Sequence, residues 1–290
     1  MNTLLSAPIL SLVAVLLLVS PQTAVSQEQA PATVHWAYSA YFGSGWYSVP
    51  GNRDVFVARM TYRQALSDAS LDAGGNRVFG KYLKFPVSVG LNRFGLDKPL
   101  DVADPDNVSF LSVNPGIDIE VPVNDAWSLR PYVSIGYGRA LGSNESAWSY
   151  WGGIKSRYSF RASKLSWHLL NQVGFAGYTP NEGPSDVILP VMAGLQFDHP
   201  VGKTADQADQ KMLHWHVAYW RFGNSLEFDS IVSDANDIKD QWEIGAALAR
   251  RESPIRIWFL KFDRLGLGYR VSSDGALKGV TFIFRSLFHE

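Results

Sequence analysis

The stretch from Ile117 to Gly138 constrains the fold more than any other, because apolar and polar side chains alternate along it on both sides of one short turn. Ile117, Ile119, Val121 and Val123 share one face of a first strand, with Asp118 and Glu120 on the other. After Asn124-Asp125-Ala126, a second strand puts Leu129, Pro131, Val133, Ile135 and Tyr137 on one side. Its other side carries Arg130, Tyr132, Ser134, Gly136 and Gly138. Successive strand side chains point to opposite faces, so each strand has an oily and a polar side. A soluble sandwich gives the same alternation. Here, however, the pattern recurs to the end of the chain and follows an export signal. Together these indicate an all-β antiparallel transmembrane β-barrel of outer-membrane type.

The export signal is the apolar run Ile9–Val19, broken only by Ser11, followed by Ala24-Val25-Ser26 as a cleavage site. The run is short for a spanning helix, which needs about 20 residues. Residues 1–26 thus read as a cleaved signal peptide, 27–33 as a short periplasmic segment and 34–290 as the barrel. The chain has no cysteine, which excludes disulfides, thiolate metal sites and cysteine nucleophiles. Its 26 basic and 27 acidic residues give no argument for nucleic acid as a partner. Ten Trp, twelve Tyr and sixteen Phe suit the aromatic girdles at the two interfaces of a membrane barrel. The expected location is the outer membrane of a Gram-negative cell, with its lipids and lipopolysaccharide as surroundings and a monomer as the expected state.

Alternation predicts twelve strands, at 34–43, 54–64, 81–93, 108–123, 127–141, 147–161, 164–178, 186–198, 211–222, 241–251, 255–272 and 277–288. Connection lengths support the count. A barrel with both ends in the periplasm has short turns on that side and longer loops outside. Asn124–Ala126, Ala162-Ser163 and Glu252–Pro254 are short; Asp97–Asn107 and Gly223–Asp240 are long and polar. The connections around 64–80 and 199–210 are long on the nominally short side. Asp263-Arg264 could divide the eleventh strand, but dividing it would break the parity, so one long strand is expected.

Assigning faces by alternation turns Arg59, Arg63, Lys84, Arg130, Lys155, Arg157, Arg161, Arg251, Arg256, Arg270 and Arg285 inward. The inward acids are fewer: Asp118, Glu120, Asp198 and Glu243. A net positive lining favours anions if the lumen is open. Inward cations and carboxylates paired across a narrow barrel would instead fill and stabilise it. The sequence leaves both readings open.

Gly266-Leu267-Gly268-Tyr269-Arg270, Gly279-Val280-Thr281-Phe282-Ile283-Phe284 through Phe288, and Leu129–Gly138 resemble strands of autotransporter translocator barrels. With Tyr41–Gly45 near its start, the whole mature chain looks like the solitary, passenger-free members of that group. The resemblance implies a twelve-stranded barrel inserted by the outer-membrane barrel assembly machinery, which would read a C-terminal strand ending at Phe288. Two features depart from the pattern. His289-Glu290 follow the terminal aromatic, and the seven residues Gln27–Thr33 reach at most about 25 Å. That is too short to thread a cargo, so self-secretion is not expected.

Lipid hydrolases of the outer membrane carry His and Ser two residues apart on one strand face, which sets base beside nucleophile. No His-x-Ser occurs, and Gly-x-Ser-x-Gly is absent. His214 and His216 share a face and could hold Zn²⁺ or Cu²⁺ with a third ligand from a neighbouring strand, though a hydrogen-bond network is the plainer reading. No catalytic residue, cofactor or metal is indicated. The expected function is a small pore or a plugged structural barrel, with a lipid-modifying enzyme or a surface-binding module using acidic outer loops as alternatives.

Overall fold

A computed structural model of the chain describes residues 42–49, 53–72, 74–92, 108–141, 144–162, 165–202, 209–226, 238–251, 254–257 and 260–290. Its strands, in chain order, are β1 Gly45–Val49, β2 Arg53–Ser67, β3 Ser70–Leu71, β4 Arg77–Val78, β5 Gly80–Asn92, β6 Val108–Val113 and β7 Gly116–Pro122. They continue with β8 Trp127–Ala140, β9 Ser146–Ala162, β10 Leu165–Pro180, β11 Asp186–Ile188, β12 Pro190–Pro200 and β13 Lys211–Leu226. The last are β14 Ile238–Arg250, β15 Ile255–Ile257, β16 Leu260–Phe262, β17 Arg264–Val271 and β18 Lys278–Ile283.

Taking β6 with β7 and β11 with β12 as single interrupted staves, twelve antiparallel staves follow one another around the wall. The ring closes where β1 pairs with β18, with Gly45 opposite Thr281 and Ser48 opposite Lys278. Among the described residues the ring of staves has no end strand, the condition for placing backbone in a hydrocarbon medium.

The wall is inverted relative to a soluble protein. Along β8 the exposed apolar positions are Val133, Ile135 and Tyr137, while Arg130, Ser134, Gly136 and Gly138 are buried. Along β7, Ile117 and Ile119 face out and Asp118 and Glu120 face in. Trp148, Ile154, Phe175, Val191, Trp215, Ile244, Leu267 and Tyr269 continue the outward apolar surface round the wall. A surface of this extent is not compatible with water but suits acyl chains. Outward aromatics meet across strand pairs, as in Tyr137–Trp148, Phe160–Trp167 and Trp167–Phe197.

Four expectations from the sequence need correction. Residues 34–41 of the first expected strand lie outside the described residues; Phe42 is a buried residue ahead of β1, and among the described residues the wall begins at Gly45. The long strand 255–272 is divided: β14 pairs with β17 only back to Arg264, opposite Ala249. Ahead of that point β15 and β16 pair only with each other, and the chain bends at Asp263. The connection from β14 to β17 therefore runs from Arg251 to Asp263, and Glu252 and Ser253 of the short turn expected there lie outside the described residues. The last strand stops at Ile283 instead of Phe288. Finally, 108–123 breaks at Asn114-Pro115, where Pro115 supplies no amide hydrogen. Asn114 turns inward there and donates to Ser149 Oγ at 2.5 Å. Gly136 permits the break, because a Cβ at that position would lie 2.2 Å from both Asn114 Nδ2 and Val113 O.

Candidate functional site: the filled lumen

Alternation along each stave sets what the lumen contains, and the contents change with depth. Toward the long-loop end the inward side chains are apolar: Phe110, Trp151, Tyr178, Ile188, Met192, Trp220, Phe222 and Ile238 form one buried cluster. Burying such side chains inside a membrane barrel leaves little room for water on that side.

The middle layer is charged and paired. On β5, β7, β8 and β9, Lys84 Nζ lies 3.0 Å from Asp118, and Arg130 Nη2 donates to Glu120 at 2.7 Å. Arg130 also lies 4.0 Å from Asp118, and Arg157 donates to the other Glu120 oxygen at 3.2 Å. Across the barrel, Arg270 Nη2 donates to Glu243 at 2.6 Å and Thr281 Oγ1 donates to the same carboxylate at 3.0 Å. Buried ion pairs of this kind repay their desolvation only when the remaining donors and acceptors are satisfied. Arg270 Nη1 and the Tyr47 hydroxyl both donate to the carbonyl oxygen of Phe42, at 3.1 and 2.9 Å, while Arg270 Nε stays without a hydrogen-bond partner among the described residues.

The segment 284–290 occupies the rest of this layer. After β18 the chain leaves the wall and turns into the lumen, where Leu287 and Phe288 are buried. Arg130 Nη1 donates to the Phe288 carbonyl at 3.2 Å. Lys155 Nζ donates to the main-chain oxygens of Leu287 and Glu290 at 3.1 and 2.9 Å, and Lys84 Nζ reaches that of Glu290 at 3.4 Å. The Phe288 ring lies between two guanidinium groups, 4.9 Å from Arg130 and 4.5 Å from Arg157, a cation–π arrangement strengthened by exclusion of water. Arg285 Nη2 anchors the start of the segment on the Thr61 carbonyl at 3.0 Å. A cavity of about 50 Å³ remains beside it, bordered by Arg59, Lys84, Lys155, Gln172, Gln241 and Arg270. That is space for a few waters.

Nearest the short turns lies a polar cluster on four neighbouring staves. His168 Nε2 is 3.1 Å from Asp198 Oδ2, His214 Nδ1 is 2.5 Å from Asp198 Oδ1, and Gln196 donates to Oδ1 at 2.9 Å. Ser159 Oγ meets the other nitrogen of His168 at 2.8 Å.

Not every residue assigned inward by alternation reaches the lumen. Lys84, Arg130, Lys155, Arg157, Arg270, Asp118, Glu120, Asp198 and Glu243 meet in the networks just described. Arg59 borders the cavity and lies 5.7 Å from the Trp151 ring; Arg63 stacks 3.6 Å over Tyr82. Arg161 is exposed near the end of β9. Arg251 sits in the bend beyond β14, and Arg256 belongs to the β15–β16 hairpin, so neither is carried by a stave of the wall. Arg285 is inward, but on the segment after β18. His214 and His216 share a face yet address different carboxylates, His216 lying 3.6 Å from Glu243. The sequence reading missed His168 with Ser159, and the inturned segment.

No protein-family model matches the chain, and no curated protein matches it. Among solved structures, the chain is similar to the β domain of the Bordetella autotransporter BrkA, with a TM-score of 0.51, 9% identity and coverage of 82% of this chain and 91% of that one. The translocator domain of NalP from Neisseria meningitidis matches with a TM-score of 0.49 and 10% identity, covering 82% of each chain. At such identities the BrkA likeness speaks for fold alone, and it agrees with the closed ring of twelve staves. The chain has the fold of an autotransporter translocator domain: it is an autotransporter-like, twelve-stranded antiparallel barrel of outer-membrane type.

Proposed function

We propose that the protein acts as a plugged structural barrel of the outer membrane rather than as an open pore. The observation that carries this reading is the inturned segment 284–290, held by Arg130, Lys84 and Lys155 through its own main chain. A lumen built for anion passage would present its cations to water. Here Lys84, Arg130 and Arg270 face carboxylates, and Lys155 is buried against carbonyl oxygens. The apolar cluster toward the long loops adds a second obstruction. The same pairing explains why an excess of inward Arg and Lys does not by itself argue for anion selectivity. The outward apolar surface and closed wall support residence in an outer membrane.

Planar-bilayer recording tests the reading. Wild-type protein is expected to insert without steady conductance. Deleting residues 286–290 together with Trp151→Ala and Trp220→Ala, which thin the apolar layer, is expected to give discrete conductance steps with preference for anions, because Lys84, Lys155 and Arg130 lose their carbonyl partners. Steady conductance of the wild type, in protein shown to be folded by heat-modifiable migration, would refute the plug.

A further inference from the structure

The cluster at the short-turn end has the connectivity of a nucleophile, a base and an orienting carboxylate. The β9–β10 hairpin places Ser159 directly opposite His168, and β12 brings Asp198 alongside. Asp198 is engaged on both oxygens: Gln196 donates to Oδ1, His214 Nδ1 meets the same oxygen, and His168 Nε2 meets Oδ2. That pattern requires the proton of neutral His168 on Nε2, leaving the Nδ1 lone pair to face Ser159 Oγ at 2.8 Å. Nucleophile, base and orienter within hydrogen-bond reach of one another is the signature of an activated hydroxyl, independent of fold and of residue order.

We propose that Ser159 is a nucleophile for acyl transfer, with His168 as its general base and Asp198 as the positioning residue. This goes beyond the plugged-barrel reading and does not depend on it. In the step, Ser159 Oγ adds to the carbonyl carbon of an ester while its proton passes to His168 Nδ1. The bond from that carbon to the alcohol oxygen then breaks, and the alcohol leaves with the proton. Water, deprotonated by His168 in turn, releases the acid and regenerates Ser159. Arg157 and Arg161 flank Ser159 at two residues' distance on the same face of β9. Arg157 is committed to Glu120, whereas Arg161 is exposed and free to meet a developing oxyanion or an anionic substrate group. The substrate class is therefore a carboxylic ester bearing negative charge near the scissile bond. Access comes from the short-turn side, where the His168 and Asp198 side chains keep 18% and 15% of their exposure.

The arrangement escapes a search for His-x-Ser on one strand because the two residues lie on adjacent strands. Cross-strand neighbours are as close as residues two apart on one face.

The test uses the folded full chain in detergent with a fluorophosphonate probe, followed by mass spectrometry. The expected result is one adduct, on Ser159, lost in Ser159→Ala. Labelling is expected to fall at least about 100-fold in His168→Gly, the usual scale for a general base, and to recover when imidazole is added. Asp198→Asn is expected to slow labelling and Asp198→Glu to restore part of it, a rescue that a purely structural carboxylate would not give. Heat-modifiable migration checks that each variant is folded. No adduct on folded wild type, an adduct that persists in Ser159→Ala, or equal labelling after urea unfolding would each overturn the proposal.

Discussion

Replacing Arg130 by Gln probes the lumen at its most connected point. Arg130 is fully buried and makes three polar contacts at once: a 2.7 Å ion pair with Glu120, a longer one with Asp118, and a hydrogen bond to the Phe288 carbonyl. Removing one partner of a buried pair typically costs about 3–5 kcal/mol, because the other charge stays buried. Glu120 keeps Arg157 and Asp118 keeps Lys84, which puts the expected loss near the lower bound, about 3 kcal/mol. That is roughly a hundredfold in the folded-to-unfolded ratio, since about 1.4 kcal/mol corresponds to tenfold. Urea titration of barrel unfolding in lipid vesicles, followed by tryptophan fluorescence, reads it directly. Arg161→Gln is the control, an exposed substitution expected within about 0.5 kcal/mol of wild type. Removing both charges in Arg130→Met with Glu120→Gln should recover much of the loss, because Arg157 is part-exposed and can be hydrated. Equal stability of the Arg130 and Arg161 variants would refute the view that the inward charges are structural pairs.

Other expectations follow from the wall and its turns. Ile135 is 57% exposed on the outward face; Ile135→Arg should cost about 2–4 kcal/mol if it lies at the bilayer midplane, read by the same titration, while Ile135→Leu should cost little. Gly136→Leu has no room beside Asn114 and the Val113 carbonyl and should block acquisition of the heat-modifiable form. In the β3–β4 turn, the Asn76 side chain and amide hold the exposed Asp72 carboxyl below its ordinary value, with the Gly74 amide helping. A depressed carboxyl contributes at pH above its unfolded value and is lost as pH falls through the folded one. Loosening of this turn should therefore appear only at acid pH, as faster exchange of the Asn76 amide, whereas in Asp72→Asn the exchange should be fast throughout and lose that pH dependence.

How much of this was legible in the sequence depended on whether the signal was local. The twelve staves and their facing were, because period-two alternation survives wherever strands have one oily side; Ile117–Gly138 reads the same in sequence and structure. Breaks were harder. Asn114-Pro115 continues the alternation on both sides, so nothing in the pattern marks the interruption except the proline. Ile255–Ile257 and Leu260–Phe262 each alternate as a stave does, yet they pair with each other, and β17 joins β14 only from Arg264. The inturned segment was hidden for a related reason. Phe282, Phe284 and Phe288 keep the two-residue phase of a continuing strand, and only the structure shows Phe288 lying between Arg130 and Arg157. Charges could be assigned to the inside by parity, but their partners lie on other strands, as Arg270 with Glu243 shows. The Ser159–His168 pairing was accessible in principle: a hairpin turning between Ala162 and Leu165 places those two opposite one another. Asp198 required the register of the next pair, in which β12 sets Gln196 opposite His168 and Asp198 opposite Ser166.

Accessibility at position 288 tests the central claim most directly, and the absence of cysteine makes the experiment clean. Phe288→Cys, in folded barrels, should resist a membrane-impermeant maleimide and react promptly once urea unfolds the protein. A cysteine replacing exposed Arg161 should react in both states. Labelling of the folded Phe288→Cys barrel as fast as that at position 161 would contradict the plugged lumen.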